Sequence, residues 1–499
     1  MGITTPEARP GRLVLAFLAG CSFPLAFAPV AIYPFAILAL AVLWLLWEGA
    51  TPATAARIGF IWGAGAFLAG TYWLYISIHI FGEAPVAVAV LLMLGLVAIM
   101  ALYLAFVGWF TSRIRASGGA RWLLILPGSW VLVEWFRGWF LSGFPWLSLG
   151  YSQTDNWLAG YAPVAGVYGA SLAVAVLAGC VVAAVHGRIT HRVLALAVAT
   201  IIALGGAWAK ENVRTPETDR EISVALIQGA VPQEEKWLPE KLEPTKELYL
   251  SETRKHWDAD LVVWPEAAIP AIAYEEEEFL LALEKEARDN ESEVVLGMLE
   301  RNDVTGHYYN SVFTLGGDQG VYRKRHLVPF GEYFPVPDFV RQWMRLMSLP
   351  YVDISRGQDV PAPLRLAGES VGMTICYEDS YGAEQLVFLP EAGFLVNVSN
   401  DAWFGDSIAP HQHLQIARMR ALEAGRYLLR ATNTGISAII GPDGGVLTQS
   451  PQFETDVLTG RIRVHRGATP YAQIGNSLAV GLAALMVILG FAIGRLRAT

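Results

Sequence analysis

The chain has 499 residues, of which 54% are hydrophobic and 16% are charged, and its formal net charge is −9. A negative net charge argues against a nucleic-acid partner, because phosphate backbones are bound by clustered Lys and Arg side chains. Soluble globular proteins are roughly 45–50% apolar. The excess of apolar residues therefore predicts that part of the chain lies in a membrane.

The apolar residues are concentrated at the two ends of the chain. A helix needs about 20 mostly apolar residues to cross a bilayer, and most of the uncharged stretches reach or approach this length. They run from Leu13 to Val30, Tyr33 to Trp47, Gly59 to Ile80, Ala84 to Ser112, Asn156 to Val185, Val193 to Ala209 and Gly467 to Gly494.

The region from Arg121 to Thr154 is also apolar but carries Glu134 and Arg137. Charged residues inside an apolar segment predict a crossing with an irregular tail that lines a pocket. The total is then about eight crossings, with about seven in a membrane domain at residues 1–209 and one in a C-terminal segment at residues 467–499.

Residues 210–466 have the composition of a soluble globular domain large enough for its own core. The basic loops lie on alternate sides of the predicted crossings, and cytoplasmic loops retain excess Lys and Arg. They contain Arg9 and Arg12, Arg57, Arg113 with Arg115 and Arg121, Arg188 with Arg192, and Arg495 with Arg497. This pattern predicts cytoplasmic termini and, in a bacterium, a periplasmic soluble domain attached to the inner membrane.

Within the soluble domain, strand-like and helix-like patterns alternate. This alternation predicts an α/β sandwich whose active groups gather at strand ends. The predicted strands are 221–228, 260–264, 293–300, 310–315, 320–325, 371–375, 394–399 and 436–440, and the predicted helices are 239–257, 275–288, 383–392 and 411–426.

The segment 330–357 departs from this alternation, because it is rich in Pro, Met and aromatic residues and is too long for an ordinary connection. We interpret it as a lid with a short helix capped by Asp338, whose apolar face would meet the outer leaflet. The alternative is that the segment packs on the domain core. The apolar face of that helix would comprise Phe339, Trp343, Met344 and Met347.

The chain has three cysteines, and Cys376 is the one in the soluble domain. Cys21 and Cys180 lie in apolar crossings, where small packed side chains are the expected role. A structural cysteine outside the cytoplasm is normally paired, so an unpaired Cys376 is a candidate reactive thiol.

A cysteine nucleophile needs a base, a donor for the oxyanion and a proton route to the leaving group. Glu266 follows Trp-Pro at a strand end and is a candidate base, although a helix cap or paired carboxylate is the more common role. Lys324 lies in a basic run, for which a solvated surface is the more common role. Glu332 is placed to hold this lysine, and a backbone N–H beside Tyr377 suits an oxyanion.

His411 and His413 open a predicted helix, but no Cys, Asp or Glu residues complete a metal site around them. No Gly-rich phosphate loop is present in the sequence. Ordinary polar contacts are expected for both histidines, and no metal and no cofactor is expected.

Three phrases occur in the order typical of the nitrilase superfamily and resemble its Glu-Lys-Cys triad. Glu266 lies in VVWPEAAIP, Lys324 in YRKRHLVPFGEYFP and Cys376 in TICYEDSYG. The resemblance implies an αββα sandwich fold for residues 210–466.

The preceding crossings and the phrases HLVPFGE, VSNDAWFGDSIAPHQHLQIARMRALE and RATNTGISAIIGPDG resemble the apolipoprotein N-acyltransferase family over nearly the whole chain. The resemblance implies acyl transfer from a membrane phospholipid, through a thioester on Cys376, to the amino group of a diacylglyceryl cysteine of an apolipoprotein. Glu266 would then be base and acid.

The resemblance further implies that Lys324 and the Tyr377 N–H stabilise the oxyanion, and that Glu332 and Glu378 support the site. Trp237, in QEEKWLPEK, matches a tryptophan that the family places on a mobile arm. The protein is expected to act as a monomer.

Two alternatives remain at this point. A membrane-tethered amidohydrolase would use the same triad but let water resolve the thioester. A receptor or scaffold would keep the fold without the chemistry. The intact triad argues against the scaffold, and the apolar segment 330–357 with the large helical region argues against the hydrolase.

Overall fold

The computed structural model describes residues 10–333 and 354–496, which form two compact units. The helical unit comprises the described parts of Met1–Arg214, Phe404–Glu423 and Thr469–Thr499, and the sandwich unit comprises the described parts of Thr215–Trp403 and Ala424–Ala468. Residues 404–423 fall within the predicted soluble domain but group with the helical unit.

Each predicted crossing contains a helix, including the polar-interrupted region that begins at Arg121. The α-helices of the helical unit are Pro10–Ser22, Pro34–Trp47, Pro52–Thr71, Val86–Arg113, Leu126–Arg137, Ala162–His186, Ile189–Asn212, Ala409–Ala424, Pro470–Ile474 and Ser477–Leu496.

Four of the helices in the described part of the chain are long and apolar enough to cross a membrane, compared with about eight crossings predicted from the sequence. They are Val86–Arg113, Trp157–His186, which includes a 3-10 turn, Ile189–Asn212 and Ser477–Leu496. Pro34–Trp47 is apolar but has 14 residues, which span only about 21 Å at 1.5 Å per residue. The protein is a membrane protein with long and short apolar helices.

The chain after Leu126–Arg137 is irregular, as the sequence predicted. It forms short 3-10 turns at Phe140–Ser142, Leu149–Gln153 and Trp157–Tyr161. Glu134 accepts a hydrogen bond from Leu149 N at 2.5 Å. Arg137 Nη1 donates to the carbonyl oxygens of Phe144 at 2.6 Å and Trp146 at 2.7 Å. The buried pair thus satisfies backbone groups that have no helical partner.

The sandwich unit contains two sheets, each with six strands within the described ranges. The strands are β1 Glu217–Gln228, β2 Leu261–Val263, β3 Glu293–Arg301, β4 Tyr308–Leu315, β5 Gly320–Arg323, β6 Leu364–Leu366, β7 Glu369–Ile375, β8 Phe394–Ser399, β9 Leu428–Thr432, β10 Ala438–Ile440, β11 Val446–Gln449 and β12 Asp456–His465. The first sheet has the order β12-β1-β2-β3-β4-β5 and the second β11-β10-β9-β8-β7-β6.

In the first sheet, β2 and the second half of β1 are buried on both faces, whereas the edge strand β12 exposes alternate residues. In β1, Val224 and Leu226 belong to the core between the two sheets. The alternate residues Ala225 and Ile227 pack with residues of the helices Pro239–Arg254 and Glu277–Asp289. Because successive side chains of a strand point to opposite faces, burial on both sides requires a continuous apolar run. This is why β1 and β2 were recognisable in the sequence, and it confirms the α/β sandwich.

The predicted helix at 383–392 is wrong over most of its length. An α-helical turn at Gly382–Gln385 passes into a 3-10 turn at Leu386–Phe388, and Leu389 is already extended. Pro390 explains this ending, because proline lacks an N–H and disfavours the helical conformation of the residue before it.

Candidate active site

Three strand ends place the residues that the sequence singled out. Glu266 follows β2, Lys324 follows β5 and Cys376 follows β7. β2 and β3 are parallel, whereas β4 is antiparallel to both β3 and β5, so β2 and β5 end at the same edge of the first sheet. Cys376 comes from the second sheet, which packs face to face with the first.

Glycine at position 297 of β3 allows the backbone around Glu266 to lie close to the sheet. Gly297 N donates to Pro265 O at 3.2 Å. A Cβ at this position would lie 2.5 Å from Ala267 N and 2.8 Å from Glu266 Cα. No larger residue fits there without moving Glu266.

Lys324 lies between two carboxylates. Its Nζ is 3.2 Å from Glu266 Oε1 and 2.8 Å from Glu332 Oε1. The lysine side chain is buried. Burial alone would lower the pKa of Lys324, but the charges of Glu266 and Glu332 raise it well above its usual range. The lysine is therefore a fixed cation that can stabilise negative charge but cannot serve as a base.

Asn310 is a member of this cluster that the sequence reasoning missed. Its Nδ2 donates to Glu266 Oε1 at 2.7 Å and to Glu332 Oε1 at 3.1 Å. Its backbone carbonyl accepts from Lys324 N at 2.9 Å. The available signal was an asparagine at the start of the predicted strand 310–315, because buried polar groups need partners.

Cys376 begins the 3-10 turn Cys376–Ser380 with a positive φ of 51°. Its side chain is 8% exposed. Burial, followed by the charge of Glu266, raises the pKa of the Cys376 thiol well above its usual range, while Lys324 opposes this shift. A thiol in this state needs a base in order to react. Among the charged groups around Cys376, Glu266 has the largest effect on the pKa of the thiol.

Glu378 connects the turn that carries Cys376 with the segment that carries Lys324. Its carboxylate accepts from Ile375 N at 2.7 Å, Arg325 N at 2.6 Å and His326 N at 3.1 Å, and from the Tyr322 hydroxyl at 2.8 Å. Burial raises the pKa of Glu378, and the backbone donors oppose this rise. Glu378 therefore holds two site segments in register.

Trp237 and Tyr377 differ from these residues in exposure. Trp237 is 48% exposed and follows the short helix Gln233–Lys236. Tyr377 is half-buried, with its ring 5.2 Å from that of Tyr381. Lys236, which precedes Trp237 in the chain, is buried, and its Nζ donates to the backbone carbonyl oxygen of Glu266 at 3.2 Å. Burial lowers the pKa of Lys236 to about 8, with Glu266 opposing the shift.

The helix predicted within segment 330–357, including Asp338, Phe339, Trp343, Met344 and Met347, lies outside the described residues. Glu332 lies in the described part before it. In the ranges 10–333 and 354–496 no group of three or more His, Cys, Asp or Glu side chains has the arrangement of a metal site.

Comparison with known proteins finds two families along the chain. Residues 19–180 match the sequence model of the apolipoprotein N-acyltransferase N-terminal domain, and residues 223–470 match that of the carbon-nitrogen hydrolases. The chain is 44% identical over 486 residues to the apolipoprotein N-acyltransferase of Methylococcus capsulatus, covering 96% of both chains. It is 42% identical over 484 residues to that of Nitrosomonas europaea, covering 96% of this chain and 97% of the relative.

Among solved structures, Saccharomyces cerevisiae Nit3, a member of branch 10 of the nitrilase superfamily, is 16% identical. The similarity covers 50% of this chain and 91% of that chain, with a TM-score of 0.37. The alignments with the two bacterial relatives cover both units. This chain belongs to the apolipoprotein N-acyltransferase family, with a sandwich unit of the carbon-nitrogen hydrolase superfamily.

Proposed function

We propose that the protein transfers an acyl chain from a membrane phospholipid to the N-terminal amino group of the diacylglyceryl cysteine of apolipoproteins. The observation that carries the proposal is the buried cluster in which Lys324 bridges Glu266 and Glu332 and all three are electrostatically coupled to Cys376. This cluster contains a nucleophile, a base and a fixed cation. The names of the relatives supply the substrate class.

In the first half-reaction, Glu266 accepts the proton of the Cys376 thiol while Sγ attacks the carbonyl carbon of a phospholipid ester. The tetrahedral intermediate then breaks its C–O bond, and the departing alkoxide takes the proton from Glu266. The products are a thioester on Cys376 and a lysophospholipid. A base is needed because burial disfavours a preformed thiolate.

In the second half-reaction, the amino group of the lipoprotein cysteine attacks the thioester carbonyl. Glu266 accepts a proton from this amine and returns it to the sulfur when the C–S bond breaks. The products are an N-acylated lipoprotein and the free Cys376 thiol, so that the enzyme returns to its starting state after a ping-pong cycle.

Both half-reactions develop negative charge on the carbonyl oxygen. We assign its stabilisation to Lys324 together with the Tyr377 N–H, since a preorganised donor in a water-poor site stabilises an oxyanion most. Glu332 keeps Lys324 in place, and Glu378 keeps the turn in place. Trp237, exposed beside the buried Lys236, is assigned a role in substrate contact.

We further propose that residues 1–209 and 467–499 anchor the protein in the bacterial inner membrane, with residues 210–466 on the periplasmic side and both termini in the cytoplasm. The protein would act as a monomer. Both substrates are lipid-anchored, so attachment to the same bilayer gives a high effective concentration of each.

Mass spectrometry of the full-length protein in phospholipid vesicles tests nucleophile, donor and acceptor together. We expect an acyl adduct on Cys376, and its loss together with the appearance of an N-acylated peptide after a diacylated lipopeptide is added. Cys376→Ser should form no thioester, whereas Cys180→Ser serves as the matched control and should behave as wild type.

Three outcomes contradict the proposal in different ways. Release of free fatty acid without acylation of the lipopeptide would identify a hydrolase. Full transfer by Cys376→Ser would refute the thioester mechanism. A folded wild-type protein that neither forms the adduct nor acylates the peptide would favour a scaffold without chemistry.

A further inference from the structure

Arg430 is a buried charge that the mechanism above does not use. It lies on β9 in the second sheet with 0% of its side chain exposed. Its Nη1 donates to Asp379 Oδ2 at 3.0 Å and to Asn397 Oδ1 at 2.6 Å, and its Nη2 donates to Asp401 Oδ2 at 3.0 Å. A guanidinium with this many buried acceptors is fixed in position.

Two of these partners lead directly to the nucleophile. Asp379 lies in the same 3-10 turn as Cys376, three residues further on. Asn397 Nδ2 is 3.0 Å from Thr374 Oγ1 and 3.5 Å from the carbonyl oxygen of Cys376. Arg430 therefore holds the beginning of this turn through Asn397 and its middle through Asp379.

The strand register explains why these contacts coincide. Thr374 on β7 pairs with Asn397 on β8, and Asn397 pairs with Arg430 on β9. The three side chains thus form one row across three parallel strands, two residues before Cys376. The row ends at the turn where Cys376 adopts its positive φ of 51°, a conformation that non-glycine residues adopt only when surrounding contacts impose it.

The same network sets a charge balance beneath the thiol. One guanidinium faces two carboxylates, Asp379 and Asp401, whose side chains are 0% and 1% exposed. The charge of Asp401 acts against a thiolate at Cys376, whereas Arg430 and this thiolate stabilise each other. Without Arg430, the two buried carboxylates would lose these ion pairs.

We propose that Arg430 is a positioning residue for the nucleophile, which holds the turn Cys376–Ser380 on the second sheet and offsets the charges of Asp379 and Asp401 beneath the thiol. This inference rests on the proposed role of Cys376 as nucleophile. The nucleophile would then be influenced by two cations, Lys324 from the first sheet and Arg430 from the second sheet.

The ionisation of Cys376 depends on groups from several elements, so the test must compare variants. Glu266, Glu332 and Lys324 act on Cys376 from outside its turn, and Asp401 acts from the end of β8. Glu378 and Asp379 lie in the same turn as Cys376. A substitution at Arg430 or Asp401 leaves Glu266, Glu332 and Lys324 unchanged. The difference in the Cys376 titration between variant and wild type then gives the contribution of the second-sheet groups.

The experiment measures the rate of alkylation of Cys376 by iodoacetamide against pH in the full-length protein in detergent, with the modified peptide quantified by mass spectrometry. For Arg430→Gln we expect the titration midpoint to move up by about one pH unit, and alkylation at a fixed pH below the midpoint to slow roughly tenfold. Asp401→Asn should move the midpoint down. Arg430→Lys, which keeps the charge, should lie between Arg430→Gln and wild type.

Arg426 provides the matched control. It is also fully buried, but it donates to the backbone carbonyls of Ala392, Pro390 and Gly467. Arg426→Gln should lower the thermal unfolding midpoint without moving the thiol titration. This separates loss of a buried arginine in general from loss of the one beneath Cys376.

The inference is overturned if Arg430→Lys and Asp401→Asn both titrate as wild type, or if Arg426→Gln produces the same shift as Arg430→Gln. Arg430→Lys and Asp401→Asn keep the test decisive even if Arg430→Gln does not fold. Alkylation needs no lipid, so its result is separate from the acyl-adduct experiment. An absent adduct in wild type with the expected shifts would refute the proposed function alone.

Discussion

The two units both bury charged side chains, but these side chains use their hydrogen bonds differently. In the helical unit, Glu134 and Arg137 bond to the backbone of the irregular segment that follows them. In the sandwich unit, Lys324 and Asn310 direct their donors at the two carboxylates Glu266 and Glu332.

This difference teaches that burial of charge does not by itself mark a reactive site. A charged group whose hydrogen bonds end on backbone atoms stabilises one chain path, because those backbone groups have no other partner. Carboxylates that share one cation are held in fixed positions beside each other, and one of them can then serve as general base for a thiol on which the same cluster acts. The predictions below test this distinction.

The largest effect is expected from Lys324→Met. Loss of the cation leaves Glu266 and Glu332 buried side by side and removes the oxyanion donor, so acyl transfer should fall by about 10³-fold or more. The unfolding midpoint should also fall, because the two carboxylates lose the cation between them.

Transfer rates and thermal unfolding of Lys324→Met and wild type check this prediction. Lys246→Met is the control, because Lys246 also bridges two glutamates, Glu243 and Glu276, on a helix outside the site. Near wild-type transfer by Lys324→Met would show that the cluster is structural.

Arg137→Gln should act on stability rather than on chemistry. Its removal leaves the carbonyl oxygens of Phe144 and Trp146 without their donor, at a cost of about 1–3 kcal/mol for each unsatisfied buried group. Unfolding in detergent should shift accordingly, while the yield of acyl adduct per folded molecule stays near wild type. If the adduct disappeared at an unchanged unfolding midpoint, the proposed contrast between the units would not hold.

Glu332→Gln is expected to have an intermediate effect. The amide oxygen can still accept from Lys324 Nζ, but the negative charge that fixes the lysine is lost, so transfer should fall by about 10–10²-fold with little change in stability. Steady-state transfer assays on Glu332→Gln and Glu332→Ala check this prediction. The alanine variant should be the slower one, and the reverse order would exclude a positioning role.

The smallest effect on stability is expected from Trp237→Ala. The side chain is half exposed, so the unfolding free energy should change by only about 0.5 kcal/mol, while the KM for the lipopeptide rises. Alkylation of Cys376 should remain unchanged, since Trp237 is assigned to substrate contact. An unchanged KM would show that Trp237 does not contact the lipopeptide. Trp257→Ala, in the same unit, is the control for the loss of a tryptophan side chain.

Much of the sandwich unit could be predicted from the sequence because its central strands are buried on both faces. The predicted strand at 394–399 matches β8 residue for residue, and Glu266 and Cys376 were correctly placed after strands. Lys324 was expected inside the strand 320–325, whereas β5 ends at Arg323 and Lys324 follows it. By contrast, β9 Leu428–Thr432 was missed, although Gly425, with a φ of 60°, marks the end of the helix before it. The strand that carries Arg430 was therefore absent from the prediction.

The sequence by itself predicted the apolar segments, eight of the strands and the candidate residues Glu266, Lys324 and Cys376, because each prediction depends on neighbours along the chain. Only the tertiary structure decided that Asn310 joins Glu266 to Glu332 and that Arg430 lies beneath Cys376. These contacts join residues 22 to 51 positions apart. They arise from strand register and from the packing of two sheets, and no local pattern encodes either of them.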